Sequence, residues 1–136
     1  MGSLPKLGYI MQKLENLGTE FKCAAFPITG VMLHLEIQRG KEEMKKLPYH
    51  KELGATAACT VRLAQGITTC TSSDTSSTPR GIILADLWFG SVRASLALLE
   101  AGFESILQIK QNHGLFPKKQ IEEVLKDAPG GSSIVL

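Results

Sequence analysis

The chain has 136 residues, enough for one domain with a single buried core. Hydrophobic residues make up 43% and charged residues 21%, and no uninterrupted apolar stretch reaches the roughly 20 residues of a membrane-spanning helix. The formal charge of +2 neither requires nor excludes a polyanionic partner. Because residues 1–6 lack a signal-peptide pattern, we expect a nuclear or cytoplasmic protein that does not use a membrane.

The N-terminal part predicts an irregular segment followed by a β-hairpin. Residues 1–18 show little periodicity, whereas residues 19–25 alternate apolar and polar side chains before a turn at residues 27–30. The returning strand places Val31, Leu33, Leu35 and Ile37 on one face, and Met32, His34, Glu36 and Gln38 on the other. We therefore expect an antiparallel hairpin with about eight residues in each arm.

The middle of the chain predicts one helix between two irregular stretches. Residues 40–52 are rich in Lys and Glu and are typical of a solvated linker. A helix should follow, with Leu53, Ala57, Val61 and Ala64 on one face and Gly66 as its stop. Residues 67–80 are a Ser/Thr-rich run, typical of a mobile loop.

The run of residues 81–91 is the most informative part of the sequence. The apolar residues 81–85 indicate a buried strand, and Asp86 follows at its carboxyl end, where ligands and metals bind in α/β sheets. The alternative is that Asp86 only orders the turn. Ser91 can cap the next helix, whose apolar residues Val92, Leu96, Leu99 and Phe103 recur at helical spacing, with Gly102 as a stop signal.

The C-terminal part predicts one more strand and one more helix. Residues 105–110 indicate a short strand, and residues 111–114 a turn. The last helix begins at residues 116–117 and uses Ile121, Val124 and Leu125 as its apolar face. The three cysteines are far apart and show no zinc-ligand spacing, so we expect reduced thiols. The whole pattern is a mixed α/β protein.

One block of residues resembles a known family. Residues 86–91 (Asp-Leu-Trp-Phe-Gly-Ser), then Leu98 and Leu99, Gly102, residues 110–112 (Lys-Gln-Asn) and Pro117 follow in order the core of piggyBac-type transposases and of piggyBac-derived proteins. The resemblance extends from about Leu17 to the end of the chain. It implies an RNase H-like fold in which a hairpin and two parallel strands flank a central first strand, with helices on both faces.

The resemblance also implies a chemistry. Members of this family cut and join DNA with three or more aspartates that hold two Mg²⁺ ions, which activate the attacking oxygen and stabilise the leaving one. Asp86 matches the second catalytic aspartate and would be a metal ligand. DNA would then be the partner.

The chain departs from the family pattern at three points. The family's first aspartate lies on the strand before the hairpin, but residues 1–18 contain no Asp, and its remaining acidic ligands would lie beyond Leu136. Leu87 replaces the polar residue that usually follows the aspartate. We therefore expect a truncated RNase H-like domain over residues 19–136 that is inactive on its own.

Three functions remain open at this point. The first is an inactive fragment of a transposase. The second is a non-catalytic module that binds DNA or another protein, and its candidate DNA contacts are Arg80, Arg93, Lys110, Asn112, Lys118 and Lys119. The third is an unrelated metal-dependent hydrolase that uses Asp86, Glu36 and His34. Against the second, these cations could simply be scattered solvated charges.

The missing first strand has a structural consequence. In an RNase H-like sheet that strand pairs with both the hairpin and the Asp86 strand, so its loss leaves an unpaired edge on each. Residues 5–14 could replace it, the hairpin could pair directly with the Asp86 strand, or another chain could fill the position through self-association or as a partner strand.

Overall fold

The structure is a computed structural model that describes residues 7–9, 11, 17–69, 81–110 and 113–133. These residues form a mixed α/β arrangement, as the sequence predicts. The strands are β1 (Leu7–Tyr9), β2 (Leu17–Thr19), β3 (Phe21–Ala25), β4 (Met32–Ile37), β5 (Ile82–Ala85) and β6 (Glu104–Leu107). The helices are α1 (Lys41–Met44), α2 (His50–Leu53), α3 (Ala55–Thr69), α4 (Val92–Glu100) and α5 (Lys118–Leu125).

The described strands pair as three separate two-stranded ladders. β1 and β2 are antiparallel, β3 and β4 are antiparallel, and β5 and β6 are parallel. The sequence predicts a mixed sheet that lacks its central strand, and among the described strands none joins the β3–β4 ladder to the β5–β6 ladder. The prediction of an irregular segment over residues 1–18 is wrong for residues 7–9 and 17–18, which belong to the β1–β2 ladder. Thr19, predicted to begin the hairpin, pairs with Leu7 in that ladder instead.

β3 and β4 form the predicted hairpin, although their arms have five and six residues rather than about eight. Phe26 N donates to Val31 O at 2.9 Å and closes the turn. Gly30 has φ +68°, a left-handed conformation that glycine adopts without a Cβ penalty. The register pairs Lys22 with Glu36 and Ala24 with His34, so these four side chains share one face of the hairpin.

α3 packs across that face and continues beyond its predicted end. Gly66 does not stop the helix, which runs to Thr69, so residues 67–69 of the predicted loop are helical; residues 70–80 lie outside the described part of the chain. Gly66 serves close packing instead, because a Cβ there would overlap the imidazole ring of His34 on β4. The predicted face of α3 is confirmed at Ala57, Val61 and Ala64, which are all buried, whereas Leu53, predicted on the same helix, ends the preceding helix α2.

β5, α4 and β6 form the second half of the structure. Ser91 caps α4 as predicted, its hydroxyl accepting a hydrogen bond from Ala94 N at 3.0 Å. The predicted apolar face of α4 is wrong at Leu96 and Leu99, which are exposed, whereas Ala94 and Leu98 are buried. The core is a cluster shared by α3, α4 and the residue that precedes β6, and its members are Val61, Ala64, Leu98 and Phe103.

The remaining segments correct two smaller predictions. The Lys/Glu-rich stretch at residues 40–52, predicted as a linker, contains the two four-residue helices α1 and α2. α5 begins after Pro117 as predicted, with Ile121 and Leu125 half-buried, but Val124 is exposed. Among the described helices, none combines the length and the hydropathy that crossing a bilayer requires.

Candidate functional site

Asp86 lies immediately after β5 and orders the turn that leads into α4. Its Oδ1 accepts a hydrogen bond from Trp88 N at 3.0 Å, and its main-chain oxygen accepts from Phe89 N at 3.1 Å and Gly90 N at 2.9 Å. This is the side-chain-to-backbone turn that Asp commonly forms. The local role considered for Asp86 is therefore present in the structure, and its side chain is exposed.

The surroundings of Asp86 do not fit a two-magnesium site. Mg²⁺ needs several oxygen ligands, and two ions need carboxylates that converge. In the part of the chain that the structure describes, no three His, Cys, Asp or Glu side chains come together as metal ligands. Asp86 and Cys23 are the ionisable side chains, among the described residues, that line the groove between β3 and β5, and sulfur is a soft ligand unsuited to Mg²⁺. The predicted magnesium site is thus not assembled by the described residues.

The hydrolase alternative fails for a different reason. Glu36 is bound by Arg62, whose Nε and Nη2 donate to its two oxygens at 2.6 and 2.8 Å, and Gln38 donates to it at 3.2 Å. Burial is the largest single influence and acts to raise the pKa of Glu36, but the hydrogen bonds from Arg62, Cys59 and Gln38 and the charge of Arg62 together outweigh it, so the pKa is lowered. With Glu36 held by Arg62 and His34 packed on Gly66, both side chains are used in joining the hairpin to α3.

A groove of about 580 Å³ separates the two halves of the structure. One wall is β3 with the start of the hairpin turn, and the other is β5 with Asp86. The floor is α3, through Thr60, Leu63, Ala64 and Ile67, together with Phe103. The lining is apolar except at the Asp86 end. Among the described strands no ladder crosses this groove, since β3 pairs with β4 and β5 pairs with β6.

Both walls of the groove present main-chain groups that no described strand pairs with. In an antiparallel ladder, residue pairs that exchange hydrogen bonds alternate with pairs that do not. Gln38 N donates to Glu20 O at 2.9 Å, so this is a bonded pair, and the pair of Cys23 with Leu35, three positions along, is a non-bonded one. The N–H and C=O of Cys23 therefore point away from β4. Glu104 N donates to Gly81 O and Gln108 N to Ala85 O, both at 3.1 Å. In this parallel pair every second residue of β5 bonds to β6, which leaves the N–H and C=O of Ile82 and Leu84 pointing away from β6 and into the groove.

A cation–π contact joins the start of β3 to the turn that follows β5. Lys22 Nζ lies 3.5 Å from the ring centroid of Trp88 and 2.6 Å from Glu20 Oε1. Thr60 Oγ1 also donates to Phe89 O at 3.3 Å, which ties α3 to the same turn. Because the first residues of β3 thus lie beside the carboxyl end of β5, the two walls run in opposite directions.

The predicted DNA contacts are only partly brought together. Arg93 and Lys110 line a second groove of about 450 Å³, together with Trp88, Ser91 and His113. Lys118 and Lys119 belong to α5 and do not line it, and Lys118 Nζ lies 3.3 Å from Glu122 Oε1. Asn112 and Arg80 lie outside the described residues.

The contacts that hold the hairpin on α3 were not predicted from the sequence. Arg62 and Lys22 carried no prediction, although Lys22, His34 and Glu36 alternate on one hairpin face. Polar residues that alternate on one hairpin face, together with an arginine near the middle of the next helix, are the signal that could have indicated a buried ion pair.

Comparisons with protein-family models, with curated proteins and with solved structures find no match to this chain. The resemblance to piggyBac-type transposases therefore remains a prediction that depends on the residues quoted for it.

Proposed function

We propose that this chain is a non-catalytic protein-interaction module, derived from a piggyBac-type transposase core, that binds one extended segment of a partner polypeptide between β3 and β5. The observation that carries the proposal is the apolar groove with unpaired strand edges on both sides. An extended polypeptide is the ligand whose N–H and C=O groups can satisfy two such edges at once. The module would work in the nucleus or the cytoplasm.

The strand order supports the RNase H-like part of the proposal. In space, β4 and β3 lie on one side of the groove and β5 and β6 lie on the other. This is the strand order of an RNase H-like sheet from which the central strand is missing. Neighbouring strands lie about 4.8 Å apart, so a single strand would bridge edges about 9–10 Å apart. Since the two walls run in opposite directions, the bound segment would pair parallel to one and antiparallel to the other.

The non-catalytic part of the proposal is supported by the local role of Asp86. We expect the purified protein, incubated with duplex DNA and Mg²⁺ or Mn²⁺, to nick or join no more DNA than its Asp86→Ala variant. Cleavage by the unaltered protein that Asp86→Ala abolishes would refute the proposal and restore the transposase hypothesis.

The binding part can be tested with random 12-residue peptides displayed on phage and selected on the immobilised protein. We expect enriched peptides that alternate apolar and polar residues. Leu84→Pro removes one N–H that faces the groove, at an edge position where proline is tolerated. It should weaken the binding of a synthetic enriched peptide about fivefold, because one hydrogen bond to the peptide is lost. Leu84→Val keeps that N–H and serves as the matched control.

Cys23 reports directly on groove occupancy. In a Cys70→Ser background, a maleimide should modify exposed Cys23, whereas Cys59 is buried and burial raises the pKa of its thiol to about 12. The enriched peptide should slow Cys23 modification. The proposal would be overturned if the selection enriched no peptide. It would also be overturned if enriched peptides bound Leu84→Pro as tightly as the unaltered protein and left Cys23 reactive.

DNA binding is the second candidate, and the observation that favours it is that Arg93 and Lys110 line one groove with Trp88. Two phosphate contacts predict that log K falls with log salt concentration with a slope of about −2. An Arg93→Glu/Lys110→Glu double variant should then lose binding to a fluorescent duplex, whereas exposed Lys46→Glu should not. Absence of binding at low salt would remove this candidate.

A further inference from the structure

The strands β3 to β6 carry exposed apolar side chains on their outer face, where no described helix packs. α3 and α4 pack on their inner side, where Ile83 and Leu107 contact the core cluster and Glu36 meets Arg62. Alternate residues point the opposite way, and they include large apolar side chains. These outer-face residues are Phe21 (50% exposed), Leu35 (40%), Ile82 (57%), Leu84 (62%) and Ile106 (64%).

This face does not have the composition of a surface that faces water. Parallel strand pairs such as β5 and β6 are almost always covered on both sides. On the hairpin the usual pattern is inverted, because Lys22, His34 and Glu36 point inward to α3 while Phe21 and Leu35 point outward. An apolar face of this kind marks an interaction site.

The charge on the face limits what can cover it. Among the described outward positions of β3 to β6, Glu104 at the start of β6 is the one that carries a charge. A nucleic acid or an anionic lipid surface needs cations on the surface it contacts, and this face has none in the described strands. The covering surface must therefore be apolar and close to neutral, which is what the same face of a second copy provides.

We infer that two copies of this chain associate through this outer face about a twofold axis. Sheets that pack face to face lie about 10 Å apart and interdigitate their apolar side chains, and a twofold interface uses one patch on both subunits. Glu104 is the acidic residue of each face and lies near its margin, so the association of two copies brings no cluster of like charges together. The inference goes beyond the groove, since neither Phe21, Leu35 nor Ile106 lines it.

Sedimentation velocity from about 1 μM to about 1 mM tests the inference. We expect a monomer–dimer equilibrium within this range. Ile106→Glu, on the outer face, should shift the dissociation constant upward by at least about tenfold, a loss of about 1.4 kcal/mol. Leu99→Glu is the matched control, because Leu99 is 65% exposed on α4, away from the strands, and should leave the equilibrium unchanged.

Both variants replace exposed residues, and their circular dichroism spectra should match the unaltered protein. Leu35→Glu, on the hairpin, provides a second disruption that does not depend on β6. A protein that stays monomeric throughout the range, or a dimer that Ile106→Glu and Leu35→Glu leave intact, would overturn the inference. Peptide binding in the groove remains measurable in the Ile106→Glu monomer, so failure of the dimer and failure of the proposed function can be told apart.

Discussion

The two halves of the structure are held on α3 in different ways. The hairpin contacts α3 through polar groups, chiefly Arg62 with Glu36, and through the packing of His34 on Gly66. The β5–α4–β6 half contacts it through buried apolar side chains, with Leu98 and Phe103 at the centre. Apolar burial supplies stability with little directional preference, whereas a paired charge fixes one register. We infer that the second half provides most of the stability and the first half is positioned by specific contacts.

The largest expected effect is on the apolar side. Leu98→Ala should lower the free energy of unfolding by about 3 kcal/mol, because it removes buried methyl groups and leaves a cavity. Chemical denaturation measures the change. Leu99→Ala, one residue along the same helix but exposed, should change stability by less than about 0.5 kcal/mol. Equal losses in the two variants would contradict the assignment of the buried face of α4.

On the polar side, Arg62→Met should cost about 2–3 kcal/mol, since it leaves the Glu36 carboxylate largely buried without its partner. The double variant Arg62→Met/Glu36→Leu should recover part of that loss, because it removes the unpaired charge. If Arg62→Met unfolded at the same denaturant concentration as the unaltered protein, the ion pair would not be what positions the hairpin.

A smaller loss, about 1–2 kcal/mol, is expected for Gly66→Ala. The added Cβ would overlap the His34 ring, so the hairpin must move away from α3. Gly130→Ala is the control, because nothing lies within 4 Å of a Cβ at that position. Thermal melting distinguishes the two variants, and identical melting temperatures would show that the hairpin is not closely packed on α3.

The smallest effect concerns pH. The pKa of Glu36 is lowered below its ordinary value of 4.5, so its ionised form is favoured by folding. This contribution is present above pH 4.5 and is lost as the pH falls through the lowered pKa. Denaturation curves at a series of acidic pH values should therefore show a decline that is weaker in Glu36→Gln. A decline of the same steepness in both proteins would mean that other carboxyl groups cause it.

The sequence predicted those elements whose signals are local. The hairpin follows from alternation about a turn, and the strand, turn and capped helix around Asp86 follow from an apolar run, an Asp and a Ser at cap spacing. The β1–β2 ladder and helices α1 and α2 were missed because segments of three or four residues carry too little periodicity to detect.

The faces were harder to predict than the elements. Which side of α4 is buried depends on what covers it, so Leu96 and Leu99 were as plausible as Ala94 and Leu98 until the packing was known. The inward side of the hairpin depends on Arg62, which is 26 residues from Glu36 along the chain. The groove depends on a strand position that no described residue occupies, and only the family resemblance pointed to it.

Residue-resolved amide hydrogen exchange tests the central claim most directly, because it reports which strand edges are paired. In the monomeric Ile106→Glu variant, with no peptide added, the amides of Cys23 and Leu84 should exchange rapidly while those of Ala24 and Ile83, which bond within their ladders, are protected. An enriched peptide should then protect Cys23 and Leu84. If these two amides are already as protected as their neighbours in the free monomer, the edges are paired within the chain and the groove is not a site for a partner strand.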